Sequence, residues 1–386
     1  MTVQQIYQLV NLATQESLGE VAVQTNEDLS NIVDVGTALF NANAVDQYVK
    51  SLVNQIGKIV VESRPYEGSL VSVLREGWEY GSVCEKIRIE MPEAVENDSW
   101  SLENNTSYDP FVTSLPEVSA KFYNSKTTFE VDMTFTDIQI KQSFQNATQK
   151  IAFVSAIETA IANSINIKTE EVVMRTVDCL IADTVKDDFG PNAITGGSHV
   201  KAVNLLYLYN QLVGSANALS VDEAMSSKEF LRFAVMTMKK YAKRLTKMST
   251  LFNVNGKKTF TPASALHTVL LEDFKSACEG YATLNEPINL PNAEGVAYWQ
   301  GSGTGYAFSD VSKISVKTPN NTSGVTVTGV VGCMFDHDAV GVANTDRRVT
   351  SQRNGKAEYT NMFYKHDASY WIDENYNAVV FFLATA

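Results

Sequence analysis

The fold turns on "EGWEYGSVCEKIRIEMPEA", residues 76–94. Its centre alternates. Val83, Ile87, Ile89 and Met91 share one side of an extended chain, and Cys84, Lys86, Arg88 and Glu90 share the other, because successive strand side chains point to opposite faces. The flanks "EGSL" (67–70) and "EAVENDSWSLENNTSYDP" (93–110) are acidic, polar and rich in Gly and Asn. Residues 65–126 therefore read as a long hairpin with a wet tip and too few apolar residues to own a core. A long excursion without a core implies a cover supplied from elsewhere. The expectation is that this region is ordered only by leaning on other copies of the chain.

Working outward, "TTFEVDMTF" (127–135) is a strand with Phe129, Val131, Met133 and Phe135 on one face. Residues 146–184 follow with a helical stripe of Val154, Ile157, Ile161, Ile165, Val173, Val177 and Leu180, uninterrupted by Pro or Gly. Such length suits a structural spine. Upstream, "QQIYQLVNLATQE" (4–16) reads as a helix, and "NAVDQYVKSLVNQIG" (43–57) as a second that stops at Gly57. "KIVVES" (58–63) then reads as a strand. Downstream, "DDFGPNAITGGSH" (187–199) is a linker. Two apolar helices follow at 200–214 and 226–248, the second with Ser226 and Glu229 spaced as a capping box. "SALHTVLLEDFKSACEGYA" (264–282) predicts a short strand and then a helix from Glu272. Strands at 313–335 and aromatic strands at 360–382 complete the pattern. The chain ends on "NAVVFFLATA" (377–386), which reads as a buried strand although termini usually fray.

Composition narrows the class. The 386 residues are 44% hydrophobic and 19% charged, a globular balance. With 44 acidic and 31 basic residues the formal charge is −13. This argues against tight, sequence-specific DNA binding, but not against a protein that surrounds nucleic acid without gripping it. Cys84, Cys179, Cys278 and Cys333 are isolated, so no CxxC metal or redox site is present. Free thiols and a start without the marks of a secretory signal fit a reducing cytoplasm. No run approaches the roughly 18 apolar residues that span a membrane.

Chemistry-bearing residues are sparse. Asp336, His337 and Asp338 are adjacent, but neighbours on a strand diverge, and no second ligand group is evident. His366 stands beside Asp367 without any GxSxG elbow. No phosphate-binding glycine loop opens a helix. Lys239, Lys240, Lys243, Arg244 and Lys247 gather near a helix C-terminus, where cations complement the macrodipole. "DRRVTSQRNGK" (346–356) is a basic loop, either plain surface or an ion-pair partner for a neighbouring subunit. No catalytic residue, metal or cofactor is expected. A metal-dependent enzyme using Asp336, His337 and Asp338 is the alternative from a different class.

The order of these parts resembles the major capsid protein of tailed bacteriophages, the HK97-like fold, in the form found in phages of Gram-positive hosts. "NEDLSNIVDVGTALFNANAVDQYVKSLVNQIGKIVV" (26–61) is similar to the N-terminal arm and first peripheral elements, and residues 76–94 to the extended E-loop. "KTTFEVDMTFTDIQIKQSF" (126–144) resembles the strand returning from that loop, 146–184 the spine helix, and 329–383 the capsid C-terminus. The resemblance implies an α+β fold divided into an arm (1–44), a peripheral domain (45–64, 127–186 and 336–386), an E-loop (65–126) and an axial domain (187–335). It places the last strand in the peripheral sheet beside "TTFEVDMTF". It also implies self-assembly into pentamers and hexamers of an icosahedral shell, with a portal protein, a possible separate scaffolding protein and packaged double-stranded DNA as partners. It implies residence in the virion after assembly in the host cytoplasm, and no membrane. Candidate intersubunit contacts are Trp78, Glu79, Tyr80, Glu85, Lys86, Arg88, Arg347, Arg348 and Arg353. An encapsulin-like compartment shell is the alternative within the same fold.

Overall fold

Apolar periodicity becomes local structure in this computed structural model wherever a second element is available to cover it. The structure describes residues 3–19, 26–62, 73–75, 84–90, 96, 103–105, 107, 109, 111, 113, 115, 117–123, 125–190, 197–281, 288, 290, 294–296, 305, 307–318 and 321–385. In chain order the helices and strands are α1 (Val3–Leu18), α2 (Ile32–Asn41), α3 (Val45–Glu62), β1 (Leu74–Arg75), β2 (Cys84–Ile89), β3 (Val118–Tyr123), β4 (Lys126–Thr136), α4 (Asp137–Ser143) and α5 (Ala147–Phe189). There follow β5 (Ala202–Asn204), α6 (Leu205–Val213), α7 (Val221–Met225), α8 (Lys228–Leu245), β6 (Leu266–Leu271), α9 (Glu272–Gly280), β7 (Glu294–Val296) and α10 (Phe308–Val311). The chain closes with β8 (Ile314–Thr318), β9 (Asn321–Val327), β10 (Val330–Asp336), β11 (Val340–Asn354), β12 (Tyr359–Ile372) and β13 (Ala378–Phe382). This is an α+β protein.

Two compact units emerge. The first comprises Met1–Tyr80, Lys126–Val177 and Gly341–Tyr370. Its sheet runs β1-β11-β12-β4, with β12 antiparallel to β4 from Tyr359↔Thr136 to Ser369↔Lys126. Ile6, Leu9, Val49, Leu52, Ile157, Ile161, Met362 and Tyr364 share its core with their neighbours on α1 to α5. Thr136 caps α4 in a capping box with Gln139. Of the strand expected at 58–63, residues 58–62 are instead the end of α3, which continues to Glu62, and Ser63 lies outside the described residues. The stripe Val45, Tyr48, Val49, Leu52, Val53 and Ile56 is fully engaged, and Glu16 of α1 bonds Ser51 and Gln55 of α3. Those contacts outweigh the roughly 1 kcal/mol that a mid-helix Gly57 costs.

The second unit comprises Gly81–Ser125, Asp178–Val340 and Trp371–Ala386. Its main sheet runs β5-β13-β10-β6-β7. Here the C-terminal strand departs from expectation. β13 does not lie beside "TTFEVDMTF", whose partner is β12. It inserts between β10, antiparallel with Cys333↔Val380, and β5, parallel with Phe381↔Val203. All five of its residues are buried, so the run belongs in a core, as its composition requires. Its place follows from two free edges that accept it on both sides. The chain thus leaves the first unit again at Trp371, and the boundary expected at residue 336 falls at Gly341.

Local signals also moved. Ser226 ends α7 rather than opening α8, because a capping box of Ser220 and Glu223 starts α7 and the Ser226 N–H is taken by its carbonyls. Ser227 caps α8 instead, accepting from the Phe230 N–H. Residues 346–354, expected as loop, are part of β11, and the turn comes only at 355–358.

The tail beyond β13 is tied down. Asn204 donates to the Ala384 carbonyl at 2.8 Å and accepts from its N–H at 3.2 Å. Leu383 donates to the Gly329 carbonyl. Gly329 has φ +76, and a Cβ there would collide with the Leu383 carbonyl oxygen. Gly329→Ala is therefore expected to cost roughly 2 kcal/mol or more, read as a lower urea midpoint with an unchanged slope. An unaltered midpoint would show that the tail is not packed this way.

Candidate intersubunit surface

The hairpin of β2 and β3 pairs Glu85↔Phe122, Ile87↔Ala120 and Ile89↔Val118 on one face, and Lys86↔Lys121 and Arg88↔Ser119 on the other. Residues directly opposite in a ladder share a face. The polar face is turned onto its own unit. Lys86 Nζ donates to the Asp338 carbonyl at 2.7 Å, lies 4.0 Å from the Asp373 carboxylate, and sits over the Tyr376 ring at 5.1 Å. Lys121 approaches Asp373 from the second strand at 3.6 Å. Arg88 donates to the carbonyls of Asn375 and Lys258, both at 3.0 Å. Glu90 pairs with Lys257, whose hydrogen bond holds the carboxyl below its usual range. A cleft of about 220 Å³ lies among these groups.

The apolar face points to solvent. Ile87, Ile89, Val118 and Phe122 are 66%, 61%, 57% and 63% exposed. Among the described residues this two-stranded sheet has no third strand. The expectation that the hairpin leans only on other copies is therefore corrected. Its cationic side is anchored within its own unit, because Asp373, Asp338 and two carbonyl groups offer partners there, and among the described residues the apolar side has no cover. Lys86 and Arg88, expected as contacts to a neighbour, serve this internal anchor. Glu85 is exposed on the free face. Trp78, Glu79 and Tyr80 lie outside the described residues.

Asp373 bridges the two strands, so its loss is expected to act on both. Asp373→Asn leaves Lys86, Lys121 and Arg88 with too little negative charge and should weaken the anchor by roughly 1 kcal/mol. The measurement is amide hydrogen exchange, which should quicken in 84–89 and 118–123 and stay unchanged in β10 and β13. Equal protection in both proteins would dismiss the anchor.

The basic cluster of β11 is occupied locally. Arg348 binds Asp367 at 2.8 Å and Asp346 at 3.1 Å, and Lys126 joins Asp367 at 2.9 Å. Burial pushes the Asp367 carboxyl up, but hydrogen bonds from Arg348, Thr128 and Lys126 outweigh it and hold the group at about 2. Arg353 binds Asp137 at 3.0 Å and lies 3.7 Å from Asp46. Arg347 is half-buried and lines a groove of about 590 Å³ with Glu16, Asp46 and Lys50.

The residues considered for chemistry do not converge. Asp336 is buried and accepts from the Asp338 N–H. His337 Nδ1 faces His267 Nε2 at 2.9 Å, a pairing made by the register Phe335↔His267 between β10 and β6 that sequence spacing does not reveal. Among the described residues no group of three or more His, Cys, Asp or Glu is placed to hold a metal ion. Burial pushes the Cys278 thiol up to about 12 and raises Cys333 further, so neither offers a thiolate. Among the described residues no helix is long and apolar enough to cross a membrane.

Against known proteins, the model of the Phi29-like phage major capsid protein family matches residues 10–382. The major capsid protein of Bacillus phage GA-1 is 24% identical over 159 residues, which are 41% of this chain and 33% of that protein. The match thus spans about a third of the relative's length. Among solved structures, the capsid of Staphylococcus phage Andhra aligns over 82% of this chain and 85% of that one, with 12% identity and a TM-score of 0.47. The capsid of Cyanophage P-SCSP1u aligns over 82% and 87%, with 10% identity and a TM-score of 0.48.

Proposed function

The chain belongs to the Phi29-like phage major capsid protein family, and from that premise we propose that its copies assemble, in rings of five and six, into the icosahedral shell of a phage head around the packaged genome. The observation that carries this reading is the two-faced hairpin. One face is satisfied inside the subunit, and the other presents Ile87, Ile89, Val118 and Phe122 to solvent. Contiguous apolar patches of this kind mark contact surfaces. An open two-stranded sheet also leaves edge groups for a neighbour to satisfy. A second copy of the chain is the cover we assign to it, with Glu85 at the rim. Exposed Arg348 and Arg353 and half-buried Arg347 stand on the other unit as further contact candidates.

Each subunit then takes part in several modest contacts at once, and their multiplicity holds the shell. The net charge of −13 keeps most of the wall from trapping DNA during packaging. A portal protein, a scaffolding protein and double-stranded DNA are the partners this role calls for. Assembly takes place in the host cytoplasm, and the product is the virion. The role is structural, not enzymatic. The test is negative-stain microscopy of the purified protein, alone and with its scaffold. Closed shells or curved sheets are expected; small monodisperse particles under both conditions would overturn the reading.

A further inference from the structure

Acidic residues are not spread evenly along this acidic chain. Between Glu229 and Glu272 there are 42 residues without one Asp or Glu, and they carry eight Lys and Arg. A chain with 44 acidic residues in 386 would be expected to place about five there by composition alone. The eight cations divide by structure. Lys257 is committed to Glu90, Lys258 follows it in the chain, and Arg232 is half-buried earlier on α8. Five of the others, Lys239, Lys240, Lys243, Arg244 and Lys247, fall on or just beyond the last turns of α8, and all five are exposed.

They form one face. At 3.6 residues per turn, positions 239, 240, 243 and 244 fall within an arc of about 140°, and Lys247 follows just beyond the helix end. The opposite face, Phe230, Leu231, Ala234, Val235, Met238, Tyr241 and Leu245, is buried. Among the described residues no carboxylate pairs with Lys239, Lys240, Lys243 or Lys247, and Arg244 instead stacks on the Tyr241 ring at 5.0 Å. Complementing the macrodipole accounts for cations in the last turn only, because that effect decays within a turn. Lys239 and Lys240 lie further back and need another reason.

We propose that this face of α8 binds the phosphate backbone of nucleic acid. A protein partner would ask for different residues, since Lys is depleted from protein interfaces and an apolar centre is enriched. Met236 is the one large apolar side chain exposed on this face. A polyphosphate asks for what is there: flexible point charges, close together, with no carboxylate among them. Such contacts carry no base readout, so binding is independent of sequence. The identity of the polyanion rests on the shell reading; the existence of the site does not.

The test uses the full-length, unassembled protein and a fluorescein-labelled duplex of about 30 base pairs, in two versions of opposite base composition, from roughly 50 to 200 mM salt. Binding is expected to both duplexes alike and to weaken steeply with salt. The triple variant Lys239→Gln, Lys240→Gln, Lys243→Gln should lose at least about tenfold in affinity and lower the log–log salt slope by about 3. Arginine at the same three positions should restore both. Equal binding by the glutamine triple and the parent, or no binding by the parent at the lowest salt, would overturn the proposal. So would unchanged DNA binding with lost shell formation, which would make the face a contact to an acidic surface of another copy. Shell formation is followed separately by microscopy, so a parent that forms no shells counts against the shell reading and leaves the binding result standing.

Discussion

Replacing Ile87 and Phe122 together by aspartate is expected to abolish shell formation and to leave a folded subunit. Both side chains are mostly exposed on the free face of the hairpin, so the monomer loses little, within about 0.5 kcal/mol for substitutions of this kind. Assembly is different. Covering this face with a second copy would bury two carboxylates without partners, at a cost of several kcal/mol per contact. Each 1.4 kcal/mol raises the concentration needed for association about tenfold, and the loss repeats at every subunit. The effect should exceed three orders of magnitude. Light scattering and negative-stain microscopy read assembly, while circular dichroism and urea unfolding show that the fold survives. Shells at the parent's protein concentration would mean that the hairpin face is not an interface. A variant that unfolds would be replaced by Ile89→Asp alone, at a comparably exposed position.

Lys150→Met should make the protein more stable, not less. Lys150 is fully buried, and its Nζ has no hydrogen-bond partner among the described residues. It is enclosed by Phe144 at 3.8 Å, Tyr48 at 4.7 Å and Phe153 at 5.4 Å. It also stands in the first turn of α5, where the positive end of the macrodipole disfavours a cation. Burial pushes the amine down to about 7; the ring faces oppose this by favouring ammonium, by up to about 2 kcal/mol. Between about pH 7 and the ordinary lysine value near 10.4, the unfolded chain holds a proton that the folded chain has shed. Stability therefore rises with pH through that window, and below it the folded state carries the whole cost. Met fills a similar volume and has nothing to protonate. The variant should exceed the parent by roughly 2–4 kcal/mol at pH 6, and the gap should close towards pH 10.5. Urea unfolding at pH 6, 8 and 10 measures it. A gap that does not change with pH would show that the lysine is charged throughout, held by its rings.

These two results depend on different kinds of knowledge. The pairing of β2 with β3 joins residues about 30–40 positions apart, and the alternation within β2 named the residues that share a face. Which face is covered was not legible. Lys86, Arg88 and Lys121 turn inward, because Asp373, Asp338, Asn375 and Lys258 supply partners from far along the chain. Lys150 gave no signal at all. It is one lysine in a polar first turn, and only the convergence of α3, Phe144 and α5 closes a box around it. The sequence gives a dipole account of the α8 face and shows the acid-free span around it, but that four of its cations lack ion-pair partners among the described residues required the fold.

Periodicity determined the existence of β4 and α5, because a side chain's face follows from local geometry every two or 3.6 residues, and an unbroken apolar run determined the burial of β13. The tertiary structure alone decided that β13 enters the sheet between β10 and β5 while β12 takes the place beside β4. Strand pairing joins residues distant in sequence, and an all-apolar strand satisfies any edge that offers hydrogen bonds and cover on both faces. The choice between edges is made by the whole chain packing at once.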